Sequence, residues 1–293
     1  MFKRILAALD GSQLAESVLP YVSDLATRFR SQVHLMTVTG EAERGLSMER
    51  VFDAYLARIA DQFKESKFTA KTALLSGKPS EEILKYAEKN NIDLIAVTSL
   101  GKGGLGRWNL GSVAEKVSKA SSAPVLLVPV NSSSRAPSGP FFTKILVPVD
   151  VSELGAAALP CVFALGPKAR SLVTLLYIEP IPYTPTRLAQ KYYEETTEYL
   201  RKNVHKYLEK TVKEMREDGI EAAYDIVTGD PADQILNYAR NKKCDLIAIS
   251  THGRTGIVRW ALGSVANKVL HATMIPLLLV RASGAVCPVP EAN

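Results

Sequence analysis

The chain has 293 residues, of which 46% are hydrophobic and 23% charged, and its formal net charge is +6. That length holds two domains of roughly 140 residues, each large enough to bury a core. The balance is that of an ordinary globular protein, and the mild positive charge forms no basic stripe interleaved with aromatics, which argues against nucleic acid as a partner.

At the N-terminus a basic pair, Lys3-Arg4, precedes five apolar residues and Asp10. That apolar run is too short for a signal peptide or a membrane span, and no other stretch is long enough, so no membrane association is expected. Hydrophobic patterning then predicts a strand over 3–9, a helix over 12–29, a strand over 32–38 and an amphipathic helix over 47–65. A strand (68–76), a helix (79–90), a fully apolar strand (92–97), a glycine-rich loop, a helix (111–120) and a last strand (124–130) follow. Residues 131–140 are polar, small and proline-bearing, as an exposed linker should be.

After the linker the chain starts again. Lys3–Asp10 corresponds to Thr143–Asp150 at an offset of 140 (145 − 5), and residues 77–128 align on 229–280 at an offset of 152 (263 − 111), with 26 of 52 positions identical. A repeat of this length is a duplicated domain rather than a solenoid unit. The expected division is a first domain over 1–130, a linker over 131–140, a second domain over 141–281 and a tail over 282–293. Strands alternating with helices predict βαβ units, hence two tandem five-stranded parallel open α/β sheets, Rossmann-like in character. Such sheets bind ligands beyond the carboxyl ends of their strands, where strand order reverses.

The growth in offset places twelve extra residues between the second and third strands of the second copy. They feed the proline-rich run 179–186 and a long helix near 188–218, on which Leu200, Val204, Leu208, Val212 and Met215 recur at helical spacing. One face should therefore pack. The Lys/Glu-rich remainder reads as solvated surface, with a lid or a chain–chain interface as the alternative. The cysteines, Cys161, Cys244 and Cys287, are sparse and odd in number, which favours a reducing cytoplasm over a disulfide framework or a thiolate metal site.

The loop of the second copy runs from Ser250-Thr251-His252-Gly253-Arg254-Thr255-Gly256 to Leu262-Gly263-Ser264-Val265-Ala266. It resembles the nucleotide-binding signature Gly-x2-Gly-x9-Gly-Ser/Thr of the universal stress protein family. With the strand–Asp start of each half, the resemblance covers nearly the whole chain and marks a tandem member. It implies a strand order of 3-2-1-4-5, a pseudo-dimer within one chain, and ATP or another adenine nucleotide as ligand, with Mg²⁺ as a companion. It also implies pairing between the apolar last strands, Val125–Val128 and Leu277–Val280, with a homo-oligomer of tandem chains and a protein partner beyond that.

Carried over residue by residue, the implied nucleotide contacts in the second copy are Asp150, Ile178, Ser250, His252, Gly253, Arg254, Gly263, Ser264 and Val265. In the first copy they are Asp10, Val38, Thr98, Gly101, Gly111, Ser112 and Val113. Asp150 takes an adenine or ribose contact and the backbone at Ile178 the adenine edge. Gly253 permits close backbone approach. Gly263 and Ser264 present N–H groups and a hydroxyl at a helix start, favourable to an anion. The chain departs from the signature at its first glycine, which is Thr98 or Ser250 here, and at Val151, where a small residue is usual.

Two other patterns do not carry chemistry. Gly101-x-Gly103-x-x-Gly106 follows the fourth strand, whereas a dinucleotide fingerprint needs the first βα turn. Gly106-x4-Gly111-Ser112 lacks the lysine of a phosphate loop. His34, His205, His252 and His271 show no ligand spacing. The expected function is a cytoplasmic, nucleotide-dependent stress sensor or regulator. A slow ATPase and a nucleotide-free interaction module are the alternatives.

Overall fold

The computed structural model describes residues 1–40, 46–65, 70–101, 110–130, 140–179, 181, 187–251 and 262–282. The first copy contains β1 (Arg4–Leu9), α1 (Gln13–Glu16), α2 (Leu19–Phe29), β2 (Gln32–Thr39), α3 (Leu46–Glu65), β3 (Ala70–Ser76), α4 (Pro79–Lys89), β4 (Leu94–Thr98), α5 (Ser112–Ala120) and β5 (Val125–Val128). The second contains β6 (Lys144–Val149), a 3-10 turn (Gly155–Ala158), α6 (Leu159–Ala169), β7 (Leu172–Glu179), α7 (Arg187–Glu217), β8 (Glu221–Thr228), α8 (Pro231–Asn241), β9 (Leu246–Ser250), α9 (Ser264–Ala272) and β10 (Leu277–Val280).

All ten strands form one sheet in the order β3-β2-β1-β4-β5-β10-β9-β6-β7-β8. Within each copy the strands are parallel in the order 3-2-1-4-5, and the two halves join where β5 meets β10 antiparallel, Leu127 opposite Leu277 and Val125 opposite Leu279. The expected strand order and pseudo-dimer are both found. Every residue of β5 and β10 is buried, as strands covered on both faces require. One face of the sheet carries α2, α3, α6 and α7 over Ile5, Ala7, Val33 and Leu35. The other carries α4, α5, α8 and α9 over Leu6, Met36, Ile95 and Val97, and both cores run across the two copies.

The repeated Asp-Leu-Ile-Ala has a visible job. Asp93 accepts hydrogen bonds from the Lys3 and Arg4 amides at 2.9 and 2.8 Å, and Asp245 accepts from the Thr143 and Lys144 amides at 2.8 and 2.9 Å. Each carboxylate thereby satisfies amides at the start of the central strand and sets it beside the fourth. Away from the sheet, Arg28 donates to the Lys168 carbonyl at 2.6 Å and the Tyr21 ring packs on Phe141 at 4.5 Å, so helices of both copies share a seam.

Three expectations need correction. The helix expected over 12–29 is two, because Pro20 has no N–H to give and its ring would strike the carbonyl four residues back. On α7, Val204, Leu208, Val212 and Met215 are buried as the spacing predicted, but Leu200 is 54% exposed. Cys161 is fully buried and disulfide-bonded, against the expectation of unpaired cysteines; Cys244 is a free thiol, and Cys287 lies outside the described residues. Among the described residues no helix is long and apolar enough to cross a membrane.

Because Leu127 and Leu279 are almost wholly buried at the β5–β10 seam, an ammonium there would have no partner. Leu127→Lys and Leu279→Lys should each destabilise the fold by roughly 3–5 kcal/mol. A urea midpoint unchanged in both variants would contradict the role given to this seam.

Candidate functional site

The strand order turns back between β1 and β4, so their carboxyl ends diverge and leave a crevice. In the first copy this crevice is a cavity of about 580 Å³. Its walls come from Leu9 and Asp10 after β1, Met36 and Val38 of β2, Val97 and Thr98 of β4, and Pro79 and Ile83 of α4. Gly101, Leu110 and Gly111 of the loop and Ser112, Val113 and Ala114 of α5 complete it. All seven residues expected in this copy (Asp10, Val38, Thr98, Gly101, Gly111, Ser112 and Val113) line the one cavity.

Asp10 is held rigidly. Its Oδ1 accepts from the Ser12 amide at 2.9 Å and the Ser12 hydroxyl at 2.6 Å, while Ser12 Oγ accepts from the Ala15 amide at 3.1 Å. Gly101 lies against the other carboxylate oxygen: a Cβ there would stand 2.2 Å from Asp10 Oδ2. This is the close approach for which a glycine is needed. Behind the carboxylate, burial raises the Tyr55 phenol above its ordinary value, with Glu16 and then Asp10 adding to the shift.

The loop enters α5 through defined bonds. The Gly111 amide donates to the Ser99 carbonyl at 2.7 Å, the Ser99 amide to the Val128 carbonyl at 2.9 Å, and the Val130 amide to Ser99 Oγ at 2.9 Å. In the second copy the Gly263 amide donates to the Thr251 carbonyl at 2.7 Å and the Thr251 amide to the Val280 carbonyl at 2.8 Å. The expectation that Gly263 offers its N–H to a ligand is therefore corrected, because that amide closes the turn. Gly111 and Gly263 are the cap residues and carry no side-chain cap. Ser112 and Ser264 are the first helical residues. At these two helix starts the amides with no acceptor among the described residues are those of Ser112, Val113 and Ala114, and of Ser264, Val265 and Ala266.

The second crevice repeats the first in outline. Asp150 Oδ1 accepts from the Ser152 amide at 3.1 Å and hydroxyl at 2.6 Å. Burial, with Asp150 contributing, raises the Tyr207 phenol, so Tyr207 stands in for Tyr55. Ile178 and Val265 pack on the α8–α9 side, as Val38 and Val113 pack beside α4 and α5. His252, Gly253 and Arg254 lie outside the described residues. The hydroxyls at the first signature position are engaged differently: Thr98 Oγ1 donates into its own loop, to the Leu100 carbonyl at 2.8 Å, whereas Ser250 Oγ donates across to the Leu154 carbonyl at 2.5 Å.

Sequence reading missed Pro79, Ile83, Met36 and Leu110 among the lining residues. Pro79, Ile83 and Leu110 recur as Pro231, Ile235 and Leu262, so identity between the copies outside the glycine loop was the available signal.

The model of the universal stress protein family matches residues 1–129 and again residues 141–281. The chain belongs to the universal stress protein family. It is a tandem member, with two family units in one polypeptide. Universal stress protein YxiE of Bacillus subtilis is 29% identical over 147 residues, spanning 48% of this chain and 99% of that protein. Universal stress protein Rv2005c of Mycobacterium tuberculosis is 24% identical over 227 residues, spanning 75% of this chain and 71% of the relative. The crystal structure of a universal stress protein from Archaeoglobus fulgidus has the same fold, with a TM-score of 0.69 at 20% identity over 95% of this chain and 96% of that one.

In this tandem universal stress protein the residue after the aspartate is left-handed in both copies, Gly11 at φ +81° and Val151 at φ +56°. A β-branched residue is strained there and glycine is not. Installing the second copy's residue in the first, Gly11→Val, should cost about 1–2 kcal/mol in a denaturant titration. A variant as stable as the wild type would show that the turn after β1 can take another conformation.

Proposed function

We propose that the first-copy crevice binds an adenine nucleotide, ATP or a close relative, and that the chain acts as a nucleotide-dependent sensor or regulator in a stress response. The observation that carries this reading is the meeting of three chemistries around one cavity of about 580 Å³, a volume in the range of small-molecule sites. Leu9, Met36, Val38, Ile83 and Val97 offer apolar walls for a base. The Asp10 carboxylate, fixed by Ser12, is an acceptor suited to ribose hydroxyls. The amides of Ser112, Val113 and Ala114 at the start of α5 suit a phosphate, by hydrogen bonding and by the helix dipole. Family membership supports the same reading. Among the described residues no three His, Cys, Asp or Glu side chains converge on a cation, so Mg²⁺ would be carried chiefly by the phosphates.

The test begins with protein as purified. Denaturing it and identifying the released small molecules by mass spectrometry should yield an adenine nucleotide, and calorimetry should show ATP binding at micromolar strength. Gly101→Val, whose Cβ would meet the pinned Asp10 carboxylate, should weaken ATP binding at the first copy by at least about tenfold. No released nucleotide, and no affinity tighter than millimolar, would leave a nucleotide-free interaction module. Steady ATP turnover abolished by Gly101→Val would make the chain an ATPase instead.

A further inference from the structure

The two crevices are similar in their walls and differ on the rim, first at the residue that precedes the proline of α4 and α8. In the second copy it is Asp230, the N-cap of α8. Its Oδ1 accepts from the Ala232 and Asp233 amides at 3.0 and 3.2 Å, and its Oδ2 stands 3.4 Å from the Lys268 ammonium of α9. The Asp233 amide, before Lys268, holds this carboxyl below its usual value. Two helix-start amides and an ammonium are the donor set of an anion site, and the chain fills it with its own carboxylate.

In the first copy the carboxylate is absent, and of the two equivalent amides that of Glu81 donates to the Lys78 carbonyl at 3.0 Å while that of Ser80 is left. The residue equivalent to Asp230 is Lys78, with no side-chain cap on α4. The Ser80 amide has no acceptor among the described residues. Lys116 corresponds to Lys268 by the repeat offset, and α4 packs against α5 as α8 packs against α9, so Lys116 occupies the position on α5 from which Lys268 of α9 reaches the start of α8. Lys116 also lies one turn beyond Ser112 on the same face of α5, and Ser112 and Pro79 both line the cavity.

The surrounding charges accentuate the contrast. On α4 and α5 every acid near the rim already has a lysine: Glu81 with Lys78 at 3.2 Å, Glu82 with Lys85 at 2.9 Å and Glu115 with Lys119 at 2.6 Å. Lys116 is left over, with no ion pair among the described residues. The Lys78–Glu81 pair is solvent-exposed, so Lys78 is only weakly held. On α8 and α9 the positions of Glu82 and Glu115 are the neutral Gln234 and Asn267, and once Asp230 has taken Lys268 the charge left in the first turn of α8 is Asp233.

We propose that the first copy selects nucleotides with a full triphosphate tail, whose terminal phosphate is held by the start of α4, Lys78 and Lys116, while Asp230 bars that place in the second copy. The inner phosphates lie at the α5 amides and the tail runs outward along the rim. Nucleotides with shorter tails reach the α5 amides in either copy but gain nothing from the lysines. This rests on the nucleotide reading above and adds that the two copies are unequal, the first tuned to ATP over AMP.

The experiment is calorimetric titration of the full chain with ATP and with AMP. It compares the wild type with Lys78→Asp, which reproduces the second copy's residue, and with Lys116→Gln, an exposed neutral change. Each variant should lose about tenfold in ATP affinity and less than about twofold in AMP affinity. Loss of fold is not a concern for Lys78→Asp, because aspartate is a better cap for α4 than lysine, and its melting temperature should match or exceed that of the wild type. If ATP and AMP weaken in parallel, or neither changes, the terminal phosphate is not at this rim and the proposal fails while nucleotide binding stands. Wild-type protein that binds neither would instead overturn the reading of the cavity itself.

Discussion

Val125, Leu126 and Leu127 of β5 meet Leu279, Leu278 and Leu277 of β10 in an antiparallel ladder, and the rest of the molecule is arranged around that seam. A five-stranded parallel sheet covered on both faces ends in an edge whose side chains are apolar and whose backbone donors and acceptors are unpaired. Water would solvate the backbone but not the leucines, so such an edge invites another edge of the same kind. Duplication within one chain supplies it at high effective concentration. The antiparallel join also fixes where function can sit. It points the strands of the two copies in opposite directions, so their carboxyl ends, and the crevices beyond them, lie at opposite ends of one continuous sheet.

The architecture was legible in the sequence because the signals for it are redundant. Apolar strands alternate with helices in the same order twice, and the repeated Asp-Leu-Ile-Ala marks both a buried strand and the carboxylate that anchors its neighbour. What escaped depends on hydrogen-bond accounting rather than on pattern. Pro20 stops a helix that periodicity alone would run through, and the Gly111 and Gly263 amides look available in a motif yet close a turn in three dimensions. Leu200 continues the apolar spacing of α7 but lies exposed, because spacing reports which residues share a face and not how far the supporting sheet extends.

Within the crevices the duplicated halves have kept geometry more strictly than chemistry. Val151 adopts the left-handed backbone that Gly11 adopts, although a β-branched residue is strained there, and the Asp–Ser hydrogen bonds that follow are nearly superimposable in length. The turn is over-determined by its surroundings: the carboxylate must meet both the amide and the hydroxyl two residues on, and only one backbone path allows that. A steric preference of about 1–2 kcal/mol is overridden by such a network. The walls drift only between similar shapes, Met36 to Leu176, Val38 to Ile178 and Val97 to Ile249, because each also packs in the core beneath.

The rim is under no such restraint, and it is there that the copies part. Residues 78 and 230 precede helices on the surface, where a change of charge disturbs no packing and alters stability by little more than a cap. Under the nucleotide reading proposed above, function is sensitive to that change, since a ligand carrying several negative charges would meet the rim before it meets the walls. A fold that shares one sheet between two crevices keeps its stability in the seam and the two cores, leaving each rim free to change sign independently. Divergence of ligand preference between the copies thus needs no change in backbone.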